Sequence, residues 1–150
     1  MKPFVHRHRV HGAEVDNQAF VFNSRYFEIA DDAMTELLRG LGWPFTRLRR
    51  QRIDPSVVST TATFRAPARL DDLVDVTVEC LRVGTSSFAL KFTMTRGTAT
   101  LCVIETTYVN VDAAEARSCP LPEEFAVALR ERQVSAHPVG AATTKEKLGV

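Results

Sequence analysis

The spacing of apolar and polar side chains predicts a strand and then a helix in the amino-terminal part of the chain. In "FVHRHRV", beginning at Phe4, the two classes alternate with the period of two that is typical of strands. From about Asn23 to Gly40 the apolar side chains recur at helical spacing instead. Gly42 and Pro44 end this pattern, because glycine favours a helix terminus and proline cannot continue a helix. The apolar stripe consists of Tyr26, Ile29, Ala30, Ala33, Leu37 and Leu41.

Four strand-like runs follow the helix. The first, "VVSTTATF", is rich in the β-branched residues that favour strands, and the "RAPARLDD" after it predicts a turn with a solvated acidic pair. The other three runs are joined by short Gly-Thr connections, which are typical of antiparallel hairpins. They read "LVDVTVECLRV", "SSFALKFTMTR" and "ATLCVIETTYVNV". We expect the four strands to form a meander.

The remaining segments have weaker patterns. The stretch from Trp43 to Arg52, "WPFTRLRRQR", is basic and is predicted to be irregular. "PLPEEFAVALRERQ" predicts a short carboxy-terminal helix, and residues 134–150 have the composition of a flexible tail. The folded domain is therefore predicted to span residues 1–133.

One long helix beside four or five long strands favours a particular architecture. The economical way to bury the apolar stripe is an antiparallel sheet that curls around the helix, which is an α+β arrangement known as the hotdog fold. Such a sheet has exposed edges, so we expect a homodimer or a homotetramer.

Charge and composition exclude several classes of function. The formal net charge is +1, which argues against a nucleic-acid partner, and no apolar stretch approaches the roughly 20 residues of a membrane span. The amino terminus has no long apolar run, so a secretory signal is not expected. Cys80, Cys102 and Cys119 are odd in number and without metal-ligand spacing, which favours reduced packing thiols in a cytoplasmic protein.

A stretch at the start of the helix resembles a known signature. In "DNQAFVFNSRYFEI", Asp16, Val21, Asn23 and Tyr26 stand at the positions that characterise the 4-hydroxybenzoyl-CoA thioesterase-like hotdog proteins. The resemblance extends through the second strand, an Arg-x-Pro-Ala turn, a Gly-x-Ser-Ser hairpin and "CPLPEEF". It covers roughly residues 10–125, so it includes most of the chain.

The resemblance implies an acyl-CoA thioesterase that needs no cofactor and no metal. Asp16 would be the carboxylate that attacks the thioester carbonyl or activates water. A backbone amide at Val21, Phe22 or Asn23 would polarise the carbonyl oxygen, because a helix amino terminus presents unpaired N–H groups and a positive dipole end. The alternative for Asp16 is an aspartate that only stabilises its own turn, and Asn23, also a candidate for substrate contact, is equally well explained as a helix cap.

Further residues are candidates for binding the acyl group and CoA. Phe20, Phe22 and Val58 are expected to line an apolar acyl pocket, with the Tyr26 hydroxyl nearby. Ser59 and Thr60 are expected where the second strand passes the helix start, although small and β-branched residues also simply fill strands. Four arginines are candidates for the CoA phosphates, with a solvated basic loop as the alternative for two of them. They are Arg65, Arg69, Arg49 and Arg50.

Two departures from the family pattern leave other functions open. Ala19 stands where the family usually has glycine, and Phe20 stands where it often has histidine. An acyl-carrier-protein thioesterase with the segment from Arg47 to Arg52 as a docking patch is one alternative. A non-catalytic acyl-CoA-binding module is another. Phe20 argues against a dehydratase, which would normally carry a histidine near the helix.

The histidines near the amino terminus superficially resemble metal ligands. His6 and His8 project from one face of the predicted strand, and His11 follows on the other face. No carboxylate is expected to join them, so no metal site is predicted. Glu14 is interpreted as a solvated strand end, with a functional partnership as the alternative.

Overall fold

The structure is a computed structural model, which describes residues 2–135. The chain contains strands β1 (Phe4–Arg9), β2 (Pro55–Phe64), β3 (Leu73–Val83), β4 (Ser87–Arg96), β5 (Ala99–Asp112) and β6 (Arg117–Ser118). Its helices are α1 (Arg25–Gly40), α2 (Phe45–Arg50) and α3 (Glu123–Arg130), and a single 3₁₀ turn covers Gly12–Glu14. Beyond Ser135 the predicted tail lies outside the described residues. No helix within residues 2–135 has the length and apolar character of a membrane span.

The strands form one antiparallel sheet in the order β1-β3-β4-β5-β2, with β6 paired to the end of β5. The prediction of a four-strand meander was wrong for one strand. β3, β4 and β5 are consecutive neighbours, but β2 pairs with β5 at the far edge. The connection from β2 to β3, residues 65–72, therefore crosses one end of the sheet. The two edge strands are β1 and β2.

Helix α1 packs against the concave face of the sheet, so the predicted hotdog fold is confirmed. It buries Tyr26, Ile29, Ala30, Ala33, Leu37 and Leu38. The helix begins at Arg25 rather than Asn23 and ends at Gly40. Gly42 adopts a φ of +86°, and the N–H of Trp43 donates to the Leu38 carbonyl at 2.8 Å. The left-handed glycine thus lets the chain turn sharply out of the helix.

The segment after α1 was predicted to be irregular, and its middle is instead the short helix α2. Pro44 precedes the helix with a φ of −64°, a value that suits a helix start. Trp43, Leu48 and Ile53 are buried around α2. The helix is too short to be stable alone, so this burial stabilises it.

Helix α3 confirms the predicted carboxy-terminal helix and closes the core at that end. The Phe125 ring lies 5.2 Å from the Trp43 ring and 5.9 Å from the Phe88 ring, between centroids.

Cys80 and Cys102 are fully buried, and burial raises the pKa of each thiol to about 11. Both thiols remain protonated near neutrality, which agrees with a packing role.

Candidate active site

A tight hairpin, residues 14–22, connects β1 to α1 and carries Asp16 near its tip. At its base the N–H of Phe22 donates to the Glu14 carbonyl at 2.9 Å. Val15 and Val21 face each other as an antiparallel bridge. The N–H of Asp16 then donates to the Phe20 carbonyl at 2.8 Å. We call this segment the site hairpin.

The site hairpin is fastened to residues 65–72, which we call the crossing loop. The N–H of Val21 donates to the Ala68 carbonyl at 2.9 Å, and the N–H of Leu70 donates to the Ala19 carbonyl at 3.1 Å. The Tyr26 hydroxyl accepts the N–H of Ala68 at 2.9 Å. Two segments far apart in sequence, and the first turn of α1, therefore hold each other in place.

The Asp16 carboxylate stabilises its own turn and also borders a groove. Its Oδ1 accepts the N–H of Gln18 at 2.8 Å and the N–H of Phe20 at 3.2 Å. No residue of the described chain hydrogen-bonds the second oxygen, Oδ2. The groove beside it has a volume of about 450 Å³. It is lined by Asp16, Phe20, Val21, Phe22, Asn23, Tyr26, Phe64, Arg65, Ala66 and Pro67. We call it the Asp16 groove.

The amino terminus of α1 reaches the same groove with unpaired amides. The N–H groups of Val21 and Phe22 are already bonded to the Ala68 and Glu14 carbonyls, so two of the three predicted carbonyl donors are occupied. Within residues 2–135, no acceptor pairs with the N–H of Asn23, and Ser24 makes no side-chain cap. Of the three predicted donors, the N–H of Asn23 is therefore the one without a partner, and it lies beside the positive end of the helix dipole.

Three residues predicted for the site lie away from this groove within one chain. Val58, Ser59 and Thr60 occupy the exposed middle of β2, and the Thr60 hydroxyl contacts the Thr106 hydroxyl at 3.0 Å. The direction of β2 explains this, because its carboxy-terminal end meets the start of α1. Phe64, which the sequence analysis missed, lies there with its ring 5.3 Å from the Tyr26 ring.

The four predicted phosphate-binding arginines fall into two separate pairs. Arg65 lines the Asp16 groove, and the Arg69 guanidinium lies 4.8 Å from the Phe20 ring centroid. Arg49 and Arg50 belong to α2, which follows the other end of α1. The two pairs therefore lie near opposite ends of α1, whose 16 residues span about 24 Å. One chain therefore brings only the first pair to the Asp16 groove.

A second groove, of about 840 Å³, lies near the carboxy-terminal part of α1 and was not predicted. Its walls come from α1, α2, the start of β2 and the end of β5. Apolar side chains such as Met34 and Phe45 line it together with Arg49 and Asp31. Desolvation, followed by the charge of Asp32, raises the pKa of the Asp31 carboxyl. We call it the α2 groove.

Glu14 is not the solvated strand end that the sequence suggested. Its side chain is 16% exposed, and its carboxylate lies 2.8 Å from Nε2 of His8, whose side chain is 15% exposed. The carboxylate also accepts the N–H of His11 at 2.7 Å. Because side chains alternate between the two faces of β1, the His8 side chain faces the helix side of the sheet. The 3₁₀ turn then leads the chain back, so that the Glu14 carboxylate reaches His8. Within residues 2–135, no three metal-ligating side chains gather in one place.

Comparison with known proteins identifies the family. A protein-family model that describes the thioesterase-like superfamily matches residues 10–129, so the chain belongs to this superfamily. A putative esterase from Aquifex aeolicus (strain VF5) is 27% identical over 90 residues, which are 60% of this chain and 70% of that protein.

Solved structures show the same fold. A gentisyl-coenzyme A thioesterase superposes with a TM-score of 0.77 at 25% identity, covering 83% of this chain and 98% of that one. A 1,4-dihydroxy-2-naphthoyl-CoA thioesterase from Synechocystis has a TM-score of 0.78 at 17% identity, with coverages of 87% and 97%. The family and the gentisyl-coenzyme A thioesterase support thioester hydrolysis as the general activity, and the Synechocystis structure shows the same fold.

Proposed function

We propose that the protein hydrolyses an acyl-CoA thioester to a free acid and CoA. One observation carries the proposal: Asp16 and Asn23 line the same groove, and within residues 2–135 the N–H of Asn23 has no acceptor. Hydrolysis of a thioester needs a nucleophile or base on one side of the carbonyl and a donor for the developing oxyanion on the other. These two groups supply both requirements.

In the proposed reaction the N–H of Asn23 donates to the carbonyl oxygen of the substrate. Asp16 either attacks the carbonyl carbon, giving a mixed anhydride that water then hydrolyses, or removes a proton from the attacking water. In both routes the C–S bond breaks and CoA leaves as the thiolate, which takes up the proton released by the water that hydrolyses the acyl group. Loss of one oxyanion donor typically costs about 3 kcal/mol of transition-state stabilisation.

The groove surroundings favour CoA as the thiol portion. Arg65 and Arg69 stand at or beside the groove and carry the fork-shaped guanidinium that matches phosphate oxygens. The gentisyl-coenzyme A thioesterase among the structural relatives acts on a CoA thioester. Phe20, Phe22 and Phe64 provide apolar walls for the acyl portion.

A second copy of the chain is proposed to complete the site. β2 is an edge strand whose Val57 and Val58 are more than half exposed. If β2 pairs antiparallel with its own copy, the Phe64 end of one strand lies beside the Pro55 end of the other. Pro55 lines the α2 groove, so that groove would face the Asp16 groove of the partner. In this proposed arrangement Ser59 and Thr60 would lie at the interface. Arg49 would lie toward the CoA that the partner subunit binds.

The test is thiol release from short, medium, long and aromatic acyl-CoAs by the wild type and by Asp16→Asn. The amide keeps an oxygen for the Gln18 and Phe20 N–H groups, so the turn should persist. Loss of the nucleophile or base should lower kcat by about 100-fold or more. Glu105→Gln, the same chemical change at an exposed position of β5, is the matched control and should retain full activity.

The binding-module alternative predicts a different result. Saturable binding of acyl-CoA by both proteins, with no turnover of any substrate in the panel, would contradict the proposed hydrolysis. Turnover of acyl-carrier-protein thioesters without turnover of acyl-CoA would instead assign the exposed arginines of α2 to an acidic protein partner.

A further inference from the structure

The pair formed by Glu14 and His8 occupies the base of the site hairpin. Nε2 of His8 lies 2.8 Å and 2.9 Å from the two carboxylate oxygens of Glu14. Both side chains are largely removed from solvent, so an unpaired carboxylate there would lose hydration without compensation. The pair therefore fixes the position of Glu14 against β1.

The backbone of Glu14 transmits this position to the start of α1. Its carbonyl accepts the N–H of Phe22, one residue before the unpaired N–H of Asn23. Asp16 follows two residues later on the same strand of the site hairpin. The relative placement of the proposed nucleophile and the proposed oxyanion donor thus depends on where Glu14 is held.

The opposite side of the site hairpin has an independent attachment. The crossing loop holds it through the carbonyl of Ala68 and the N–H of Leu70. Removal of the Glu14 carboxylate should therefore loosen one side of the site hairpin without detaching it. The bonds between the Asp16 carboxylate and the N–H groups of Gln18 and Phe20 lie within the tip and should persist.

We propose that Glu14, held by His8, is a positioning residue that aligns Asp16 with the N–H of Asn23. The role rests on the proposed hydrolysis. Neither side chain lines the Asp16 groove, so neither is expected to touch the substrate. A displacement of about 1 Å between reacting groups can lower a rate by about 100-fold, because the bound geometry must be close to that of attack.

The first experiment compares Glu14→Ala with Glu14→Gln. Glu14→Ala should lower kcat by about 100-fold while KM changes by less than about 3-fold, since alignment is lost and the groove remains. Glu14→Gln keeps an oxygen for the N–H of His11 and an amide within reach of His8. It should restore kcat to within about 10-fold of the wild type.

The matched control uses a second histidine on the same strand. His6 and His8 lie on the same face of β1 and are both partly buried, but no described residue hydrogen-bonds the His6 ring. His8→Ala should lower kcat, and His6→Ala should leave it unchanged. Equal effects of the two substitutions, or a kcat of Glu14→Ala equal to that of the wild type, would overturn the positioning role.

Amide hydrogen exchange supplies a measurement that needs no substrate. In Glu14→Ala the N–H of Phe22 should exchange faster, while the amides of the central strands β4 and β5 keep their protection. Unchanged exchange at Phe22 would refute the proposal even if the enzyme were active. A wild type without turnover would refute the proposed hydrolysis and leave the exchange result to decide the role of Glu14.

Discussion

At the scale of single residues, Ala19 shows how the site hairpin departs from a relaxed backbone. Its φ is 59°, in the left-handed region that disfavours residues with a Cβ atom. The sequence analysis noted that glycine usually stands at this position in the family. The structure explains the preference, because the N–H of Ala19 must donate to the Asp16 carbonyl at 3.0 Å while its carbonyl accepts the N–H of Leu70.

Ala19→Gly should therefore stabilise the protein. The substitution removes a left-handed strain of about 1–2 kcal/mol and adds about 0.5–1 kcal/mol of chain entropy to the unfolded state. We expect the free energy of unfolding in a urea titration to rise by up to about 1.5 kcal/mol.

Ala13→Gly is the control for the glycine substitution. Ala13 lies in the 3₁₀ turn, is exposed, and is not among the left-handed residues. Ala13→Gly should lower the free energy of unfolding by about 0.5–1 kcal/mol, because the glycine only adds conformational entropy to the unfolded chain. A destabilisation of similar size by both substitutions would show that Ala19 carries no strain.

At the scale of elements, the crossing loop owes its shape to Asp72. The carboxylate accepts the N–H of Arg69 at 2.8 Å and the guanidinium of Arg96 at 2.6 Å, so it is not the solvated residue that the turn pattern suggested. Desolvation acts to raise the pKa of Asp72, but these two hydrogen bonds and the charges of Arg96 and Arg69 outweigh it and lower the pKa below 3.8. The carboxylate thereby links the loop to β4.

This linkage predicts a pH dependence of stability. Because the pKa of Asp72 is lower in the folded state, its contribution is complete well above pH 3.8 and is lost as pH falls through the folded pKa. The difference in free energy of unfolding between the wild type and Asp72→Asn should be largest near neutrality and should shrink in acid. A difference that stays constant from neutrality down to the acid limit would contradict the assigned role. The measurement is a series of urea titrations.

Local patterns predicted the long elements and failed where partners are distant in sequence. The period of 3.6 predicted α1, and the strand runs predicted β1 to β5, because each pattern is read within one segment. The neighbour of β2 was not predictable in this way, since residues 65–72 decide it. Helix α2 was missed because its stability comes from the burial of Leu48 in a tertiary contact.

The contrast between local patterns and distant contacts also explains which residues of the candidate site could be predicted from the sequence. The signature residues Asp16, Val21, Asn23 and Tyr26 all line one groove, because they belong to a continuous segment. Val58 to Thr60 lie away from this groove within the single chain, because only the fold determines which end of β2 meets α1. The contact between Glu14 and His8 also needs the fold, since the 3₁₀ turn alone brings the carboxylate back to the strand.

At the scale of the whole molecule, the exposed edge strand β2 predicts an assembly. Val58→Lys should weaken the proposed pairing of β2 with its copy, because a lysine on an edge discourages strand addition. We expect the dimer dissociation constant, measured by analytical ultracentrifugation, to rise at least about tenfold, which corresponds to about 1.4 kcal/mol.

Val5→Lys is the matched control for the assembly. Val5 is 48% exposed on β1, the opposite edge of the sheet, whereas Val58 is 59% exposed on β2. The control should leave the dissociation constant unchanged. If Val5→Lys raised the dissociation constant more than Val58→Lys does, the interface would be assigned to β1 instead of β2.

The attachment of the site hairpin to the crossing loop has a consequence for synthesis on the ribosome. Helix α1 has all of its own hydrogen bonds once Leu41 has been added, but Val21 and Ala19 receive their partners only with Ala68 and Leu70. A nascent chain that has not yet emerged beyond the crossing loop therefore carries the helix without the hydrogen bonds that fasten the candidate site. The candidate site, although most of its residues precede α1, is therefore completed only when residues 65–72 have joined it.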